Sequence, residues 1–187
     1  MYFLNNKNSI SKLVITALGA ALLAVCSWIT IPFTVPFTMQ TFGIFIILLL
    51  LGGKYGTISI AVYIALGAVG VPVFSGFQAG IGHLLGLTGG YIFGFLLAGI
   101  FHIIIEPVME KSKKTVIPFL ILELLICYAV GTVWFSVVAH GRGSAYSILT
   151  VLTTCVFPYV IPDLVKLFLA FSLSEAIKKR TKKPKND

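Results

Sequence analysis

An aspartate and a lysine three residues apart stand inside the last apolar stretch of the chain, in the segment Pro162-Asp163-Leu164-Val165-Lys166. No other Asp, Glu, Lys or Arg occurs from Gly143 to Leu173. At this spacing on a helix the two side chains share one face. An ion near the centre of a bilayer costs roughly 2.5–3.5 kcal/mol on insertion scales, and less toward the interface. A mutual i,i+3 ion pair stabilises a helix by only about 0.2–0.5 kcal/mol. Pairing alone is therefore a weak reason for both residues, and a polar ligand held between them is the better-supported reading. One acceptor beside one donor suits a small neutral group with the complementary pair, such as an amide, urea or lactam. A carboxylate suits it less well, because Asp163 repels it.

Asp163 also has a local account. Pro162 fits the first position of a helix, where its missing N–H would be unpaired in any case. Asp163 then falls in the first turn, where the helix dipole favours an anion. Lys166 gains nothing from that dipole.

Other polar candidates stand at the same level. Gln40 enters an apolar run, and its buried amide needs partners. Tyr91 follows Gly89-Gly90 at the start of another run. It reads either as an interfacial aromatic anchor or as a ligand hydroxyl. Phe33, Phe37, Phe74, Phe77 and Trp134 are candidate walls of an apolar pocket. Ala17, Ala20, Ala21 and Ala24 form a small-residue face with two AxxxA pairs, which serves internal packing or a partner helix. Glu123 is expected to snorkel or to pair with a lysine such as Lys54. His83, His102 and His140 lack zinc-ligand spacing and read as loop or membrane-facing residues. Cys26, Cys127 and Cys155 suggest neither a disulfide frame nor a metal clip.

These residues need elements to position them, and composition says which. Of 187 residues 58% are hydrophobic and 11% charged, which marks an integral membrane protein. No charged residue occurs from Leu13 to Gly53 or from Tyr55 to Ile105. Each run exceeds one span of about 20 residues, so each holds at least two. The first run reads as an uncleaved span rather than a signal peptide. The expected architecture is all-α with six transmembrane helices: Leu13–Ile31, Phe37–Leu51, Tyr55–Val71, Thr88–Val108, Thr115–Val138 and Pro162–Ala176. Ala145–Pro158 reads as a short helix or re-entrant segment, since Pro158 and Pro162 interrupt it; a seventh span is the alternative.

With these spans, twelve of the fourteen basic residues fall on one side, and only Arg142 lies on the other. The positive-inside rule then puts both termini in the cytoplasm. The chain reads as one integral membrane domain, 1–187. Residues 1–12 form a cytoplasmic segment and 177–187 a basic tail. The net charge of +8 is a topology signal, and no nucleic-acid partner is expected. The loops Pro32–Gln40, Pro72–Leu87 and Ala139–Ile161 face outward. They are apolar and almost uncharged, unlike solvated loops, so they are expected to fold over a pocket as a lid or wall. GxxxxGK[ST], HExxH and GxSxG are all missing from the sequence, which removes the ATP-binding and hydrolase chemistry those motifs supply.

Four segments together resemble a known family. Thr34-Val35-Pro36-Phe37-Thr38-Met39-Gln40 is similar to its VPFTxQ loop. Thr88-Gly89-Gly90-Tyr91-Ile92-Phe93-Gly94-Phe95 is similar to its TGGYxxGF motif, although Leu87 stands where the family usually has proline. Pro162–Lys166 is similar to its DxxK segment, and Leu66–Phe74 to its third-helix exit. The chain resembles, over about Ala17–Ala176, the BioY family of biotin-specific S components of energy-coupling factor (ECF) transporters. The resemblance implies a prokaryotic plasma-membrane subunit that is not an enzyme. It would capture biotin as transported substrate, with no cofactor, and work with a transmembrane coupling protein and two ATP-binding subunits. It implies that the AxxxA face of the first helix docks the coupling protein. The expected substrate-binding set is Asp163, Lys166, Tyr91, Gln40, Gly89, Gly90, Phe37 and Trp134. Asp163 would accept a ureido N–H and Lys166 would meet the ring carbonyl, with Lys166 on the carboxylate as the reverse pose. A self-sufficient proton-coupled carrier using Asp163 and Glu123 is the competing reading.

Overall fold

The computed structural model describes residues 8–143 and 146–181. Lys7, Lys182, Lys183 and Lys185, which contribute to the charge asymmetry, lie outside the described residues. Long uncharged runs become helices because only a helix satisfies every backbone N–H and C=O within its own segment. The chain runs through α1 (Ser9–Trp28), a two-stranded hairpin β1 (Thr30–Ile31) and β2 (Phe37–Thr38), and α2 (Gln40–Ala68). A 3-10 turn (Ser75–Phe77) and the one-turn α3 (Ile81–Leu84) lead to α4 (Gly89–Lys111). Then follow α5 (Lys113–Gly141), α6 (Ile148–Cys155) and α7 (Phe157–Thr181).

α2 is not one straight rod. Gly52 has φ 80° and ψ 167°, a conformation open to glycine and almost closed to other residues. The chain folds back there. A Cβ built on Gly56 would lie 3.1 Å from Cα of Leu48, yet eight residues of straight helix span about 12 Å. Gln40 likewise reaches Tyr63 at 2.7 Å, where a straight helix would separate them by about 34 Å. Residues 40–51 and 53–68 are thus two antiparallel arms. Glu106 of α4 accepts from the Gly53 N–H at 3.0 Å, placing a carboxylate at the start of the second arm, where the helix dipole favours it.

α1, α2, α4 and α5 are each long and apolar enough to cross a membrane, and α6 with α7, bent by 42°, makes a fifth candidate. Their outer surfaces carry bare aliphatic side chains, among them Leu13 and Leu18 on α1 and Val133 and Val137 on α5, as lipid-facing helices require. Ser112 separates α4 from α5 and caps α5 by accepting from the Lys114 N–H at 3.3 Å. The two helices then run antiparallel at close range: a Cβ on Gly94 would lie 3.0 Å from the Cys127 backbone. Small residues at such crossings let apolar helices pack without polar glue. At the Lys-rich end Lys113 donates to Glu175, tying α5 to α7.

α7 corrects one expectation. It begins at Phe157, so Pro162 is internal and Asp163 lies beyond the first turn. Pro158 sits in that first turn, where its missing N–H takes nothing away. Pro162 forfeits only the bond to the Pro158 carbonyl. The break with α6 falls at Val156 (φ −125°, ψ −60°). The dipole account of Asp163 loses its basis, since that effect fades within the first turn.

Candidate ligand site

At the end of the bundle away from the Lys-rich side, one cavity encloses about 630 Å³, counting the part open to solvent. Each of the three apolar loops contributes to its wall: Val35, Pro36 and Thr38 from the first, Ser75 and His83 from the second, Cys155 and Tyr159 from the third. Asp163 and Lys166 line it from α7, Tyr91 and Phe95 from α4, and Tyr128 from α5.

Asp163 and Lys166 are 4% and 5% exposed and pair at 2.8 Å. Asp163 Oδ1 accepts from Lys166 Nζ and from Thr41 Oγ1 at 2.9 Å. Its Oδ2 accepts from the Tyr128 hydroxyl at 2.7 Å. A carboxylate has about four lone-pair sites, so Oδ2 keeps one for a further donor. Lys166 also donates to the Thr38 carbonyl at 2.7 Å, and its Nζ lies 3.8 Å from the centre of the Phe37 ring, a close cation–π contact. Tertiary partners, not helix geometry, hold this buried pair in place.

Gln40 lines the same cavity. Its amide donates to Tyr63 OH and accepts from Thr38 Oγ1 at 3.0 Å. It thereby orients the strand whose carbonyl holds Lys166. Phe37 is half-buried, under Lys166 and stacked with Tyr159 at 6.2 Å. Tyr91 lines the cavity, and its hydroxyl makes one long bond, 3.4 Å, to the Cys155 carbonyl. Tyr159 donates to the Val35 carbonyl and pins the hairpin loop to α7.

Gly89, Gly90 and Trp134 sit off the cavity wall. A Cβ on Gly89 would lie 1.7 Å from the Leu84 carbonyl oxygen, and one on Gly90 would lie 2.2 Å from Trp134 Cβ. Trp134 donates to the Gly86 carbonyl at 2.9 Å. Together they clamp the turn that delivers Tyr91 to the cavity. Phe33 and Phe77 are exposed, and Phe77 stacks on Trp28 at 5.1 Å. The alanine face divides: Ala20 and Ala24 are buried against the bundle, while Ala17 and Ala21 face outward.

Glu123 and His102 depart from expectation. Glu123 neither snorkels nor pairs with Lys54. It is fully buried and bonds His102 Nδ1 at 2.7 Å, and His102 is only 3% exposed. Two apolar helices packed face to face leave a mid-helix carboxylate no route to water, so it takes the polar group opposite.

Sequence reasoning missed Tyr128, Thr41, Thr38 and Tyr63. Tyr128 carried a signal, being a tyrosine deep inside a span instead of at its edge, where its hydroxyl needs a buried partner. Thr41 carried none, and Thr38 stood inside the Thr34–Gln40 motif without being picked out as a site residue.

A bundle of apolar helices with a buried, hydrogen-bonded acid–lysine pair opening on a cavity at one end defines a multi-pass membrane protein that binds a small polar ligand. The chain belongs to the BioY family, whose match covers residues 4–183. It is 38% identical to the biotin transporter BioY of Thermotoga maritima over 90% of this chain and 96% of that protein. It is 36% identical to a probable biotin transporter BioY of Pyrococcus horikoshii, over 89% and 96%. A crystal structure of the S-component for biotin from an ECF-type ABC transporter superposes with a TM-score of 0.80 at 25% identity, covering 94% of this chain and 95% of that one.

Proposed function

We propose that this chain captures biotin as the substrate-binding subunit of an ATP-driven ECF uptake transporter in a prokaryotic plasma membrane. It is a transport subunit and not an enzyme; ATP hydrolysis belongs to two ATP-binding partners, joined through a transmembrane coupling protein. The observation that carries the reading is the Asp163–Lys166–Tyr128 cluster on the cavity wall, in a chain of this family. The remaining lone pair on Asp163 Oδ2 accepts a ureido N–H. Lys166 offers the ring carbonyl the one N–H not engaged by Asp163 and Thr38. Apolar walls such as Phe95 and Ile92 suit the thiophane ring and alkyl chain.

The two arms of α2 each count as one crossing in this reading, which makes six crossings. Both termini lie in the cytoplasm with the lysines, and the cavity opens outward. The outward pair Ala17 and Ala21 is the face we assign to the coupling protein, where small side chains admit a close helix. A proton-coupled carrier finds less support, because Glu123 lies at the α4/α5 contact and off the cavity wall.

Calorimetric titration of the purified chain with biotin and a panel of other vitamins tests the capture step. Saturable, biotin-selective binding is expected. Vesicles holding the chain alone should not accumulate biotin, and adding the coupling protein, the ATPases and ATP should start accumulation. Gradient-driven uptake by the chain alone would instead favour the carrier.

A further inference from the structure

We propose that His83 receives the carboxylate of the bound ligand through its Nε2, so that the two ends of biotin are read on separate walls of the cavity. This deepens the capture reading and rests on it. A ligand that carries an acid needs a donor, preferably a cation, for its anionic end. Two of the Lys166 N–H groups go to Asp163 and Thr38, and the third is the one assigned above to the ring carbonyl. Among the described residues lining the cavity, His83 is the other side chain able to carry positive charge near neutral pH.

The local structure prepares it. His83 Nδ1 lies 2.6 Å from Gln78 Oε1. With the amide so oriented its oxygen only accepts, so Nδ1 holds the proton and Nε2 is left free. Phe74, fully buried, stacks on the imidazole at 5.0 Å and 19° and sets the ring plane. Gly67 makes room for this, since a Cβ there would lie 2.0 Å from Phe74 Cζ. Ser75 and Thr88 line the same region and supply neutral hydroxyls.

To donate to a carboxylate, Nε2 must first take a proton from solvent. Burial holds the imidazole below its ordinary value, which favours the neutral ring before an acid arrives. Binding of the acid then takes up one proton and forms an imidazolium–carboxylate hydrogen bond. The other titratable groups facing the cavity are the phenols of Tyr91, Tyr128 and Tyr159, the thiols of Cys127 and Cys155, and the closed Asp163–Lys166 pair. Tyr63 of α2 stands behind Phe74. Phenols and thiols ordinarily titrate well above neutrality, which leaves His83 as the group that responds near neutral pH.

The test compares biotin with its uncharged methyl ester on the purified full chain, by calorimetry in buffers of different ionisation enthalpy. Biotin should bind with uptake of about one proton, and its affinity should rise by up to about tenfold per pH unit on acidification. The ester should show neither effect. His83→Gln should abolish both effects for biotin. Biotin binding to the unsubstituted protein without proton uptake overturns the assignment and leaves the capture reading intact; this arm needs no variant. A His83→Gln protein that keeps the pH slope also overturns it. Failure of both probes to bind the unsubstituted protein removes the capture reading, and this inference with it.

Discussion

Among the described residues two buried acid–base pairs, Asp163–Lys166 and Glu123–His102, differ in what surrounds them. Asp163–Lys166 spans 2.8 Å and Glu123–His102 spans 2.7 Å. Asp163 has three donors and borders a cavity. Glu123 has the single bond to His102, its Oε2 has no partner, and both residues sit within the α4/α5 contact. Burial of an acid beside a base therefore does not by itself mark a ligand site. A carboxylate held by three donors, with one acceptor site left over beside a cavity, is arranged to receive something. A carboxylate sealed between helices joins them.

The comparison breaks most visibly at His102. His102→Ala leaves the buried Glu123 carboxyl without its hydrogen-bond partner, and stability in detergent should fall by about 2 kcal/mol, read by denaturant or thermal unfolding. Biotin affinity of the remaining folded protein should stay unchanged; a parallel loss of affinity would join the two pairs into one functional unit. Asp163→Asn addresses the other side. It should weaken biotin binding by at least about 1.5 kcal/mol in a calorimetric titration, and an unaltered affinity would remove Asp163 from the site. Tyr128→Phe deletes one donor to the same carboxylate and should cost about 1 kcal/mol of affinity. A stability loss with no change in affinity would make Tyr128 a packing residue like His102. The smallest change belongs to a position outside both pairs. Ala21→Leu should alter stability by less than about 0.5 kcal/mol and leave binding intact, yet impair uptake measured with the partner subunits. Lost binding would place that face inside the bundle instead.

Much of the fold was legible because apolar runs free of charge leave helices as the simple solution in a bilayer. The break between the arms of α2 falls inside 52–54, between the two spans drawn from the sequence, because a glycine pair interrupts the run there. The start of α7 was misread. Pro162 looks like a helix start in sequence, but Pro158 occupies that role one turn earlier. Asp163 and Lys166 were legible as a pair because charge is so rare in this chain. Their supporting groups were not, since Thr41, Tyr128 and the Thr38 carbonyl come from segments far apart in sequence. Gly89 and Gly90 stood out as a motif, but their close contacts are with Leu84 and Trp134 behind the wall.

The sequence by itself determined the membrane class, the approximate spans and the one helix face where an acid and a lysine coincide. Those properties follow from local composition and helical period, which act over a few turns of chain. Only the tertiary structure decided that Asp163 keeps a single open lone pair, that His83 shares its cavity, that Glu123 meets His102, and that Ala21 faces outward while Ala20 faces in. Each of these depends on which helices touch and at what rotation. In an almost uniformly apolar chain that rotation is set by close packing of small residues and by a few buried hydrogen bonds, whose partners lie tens of residues apart.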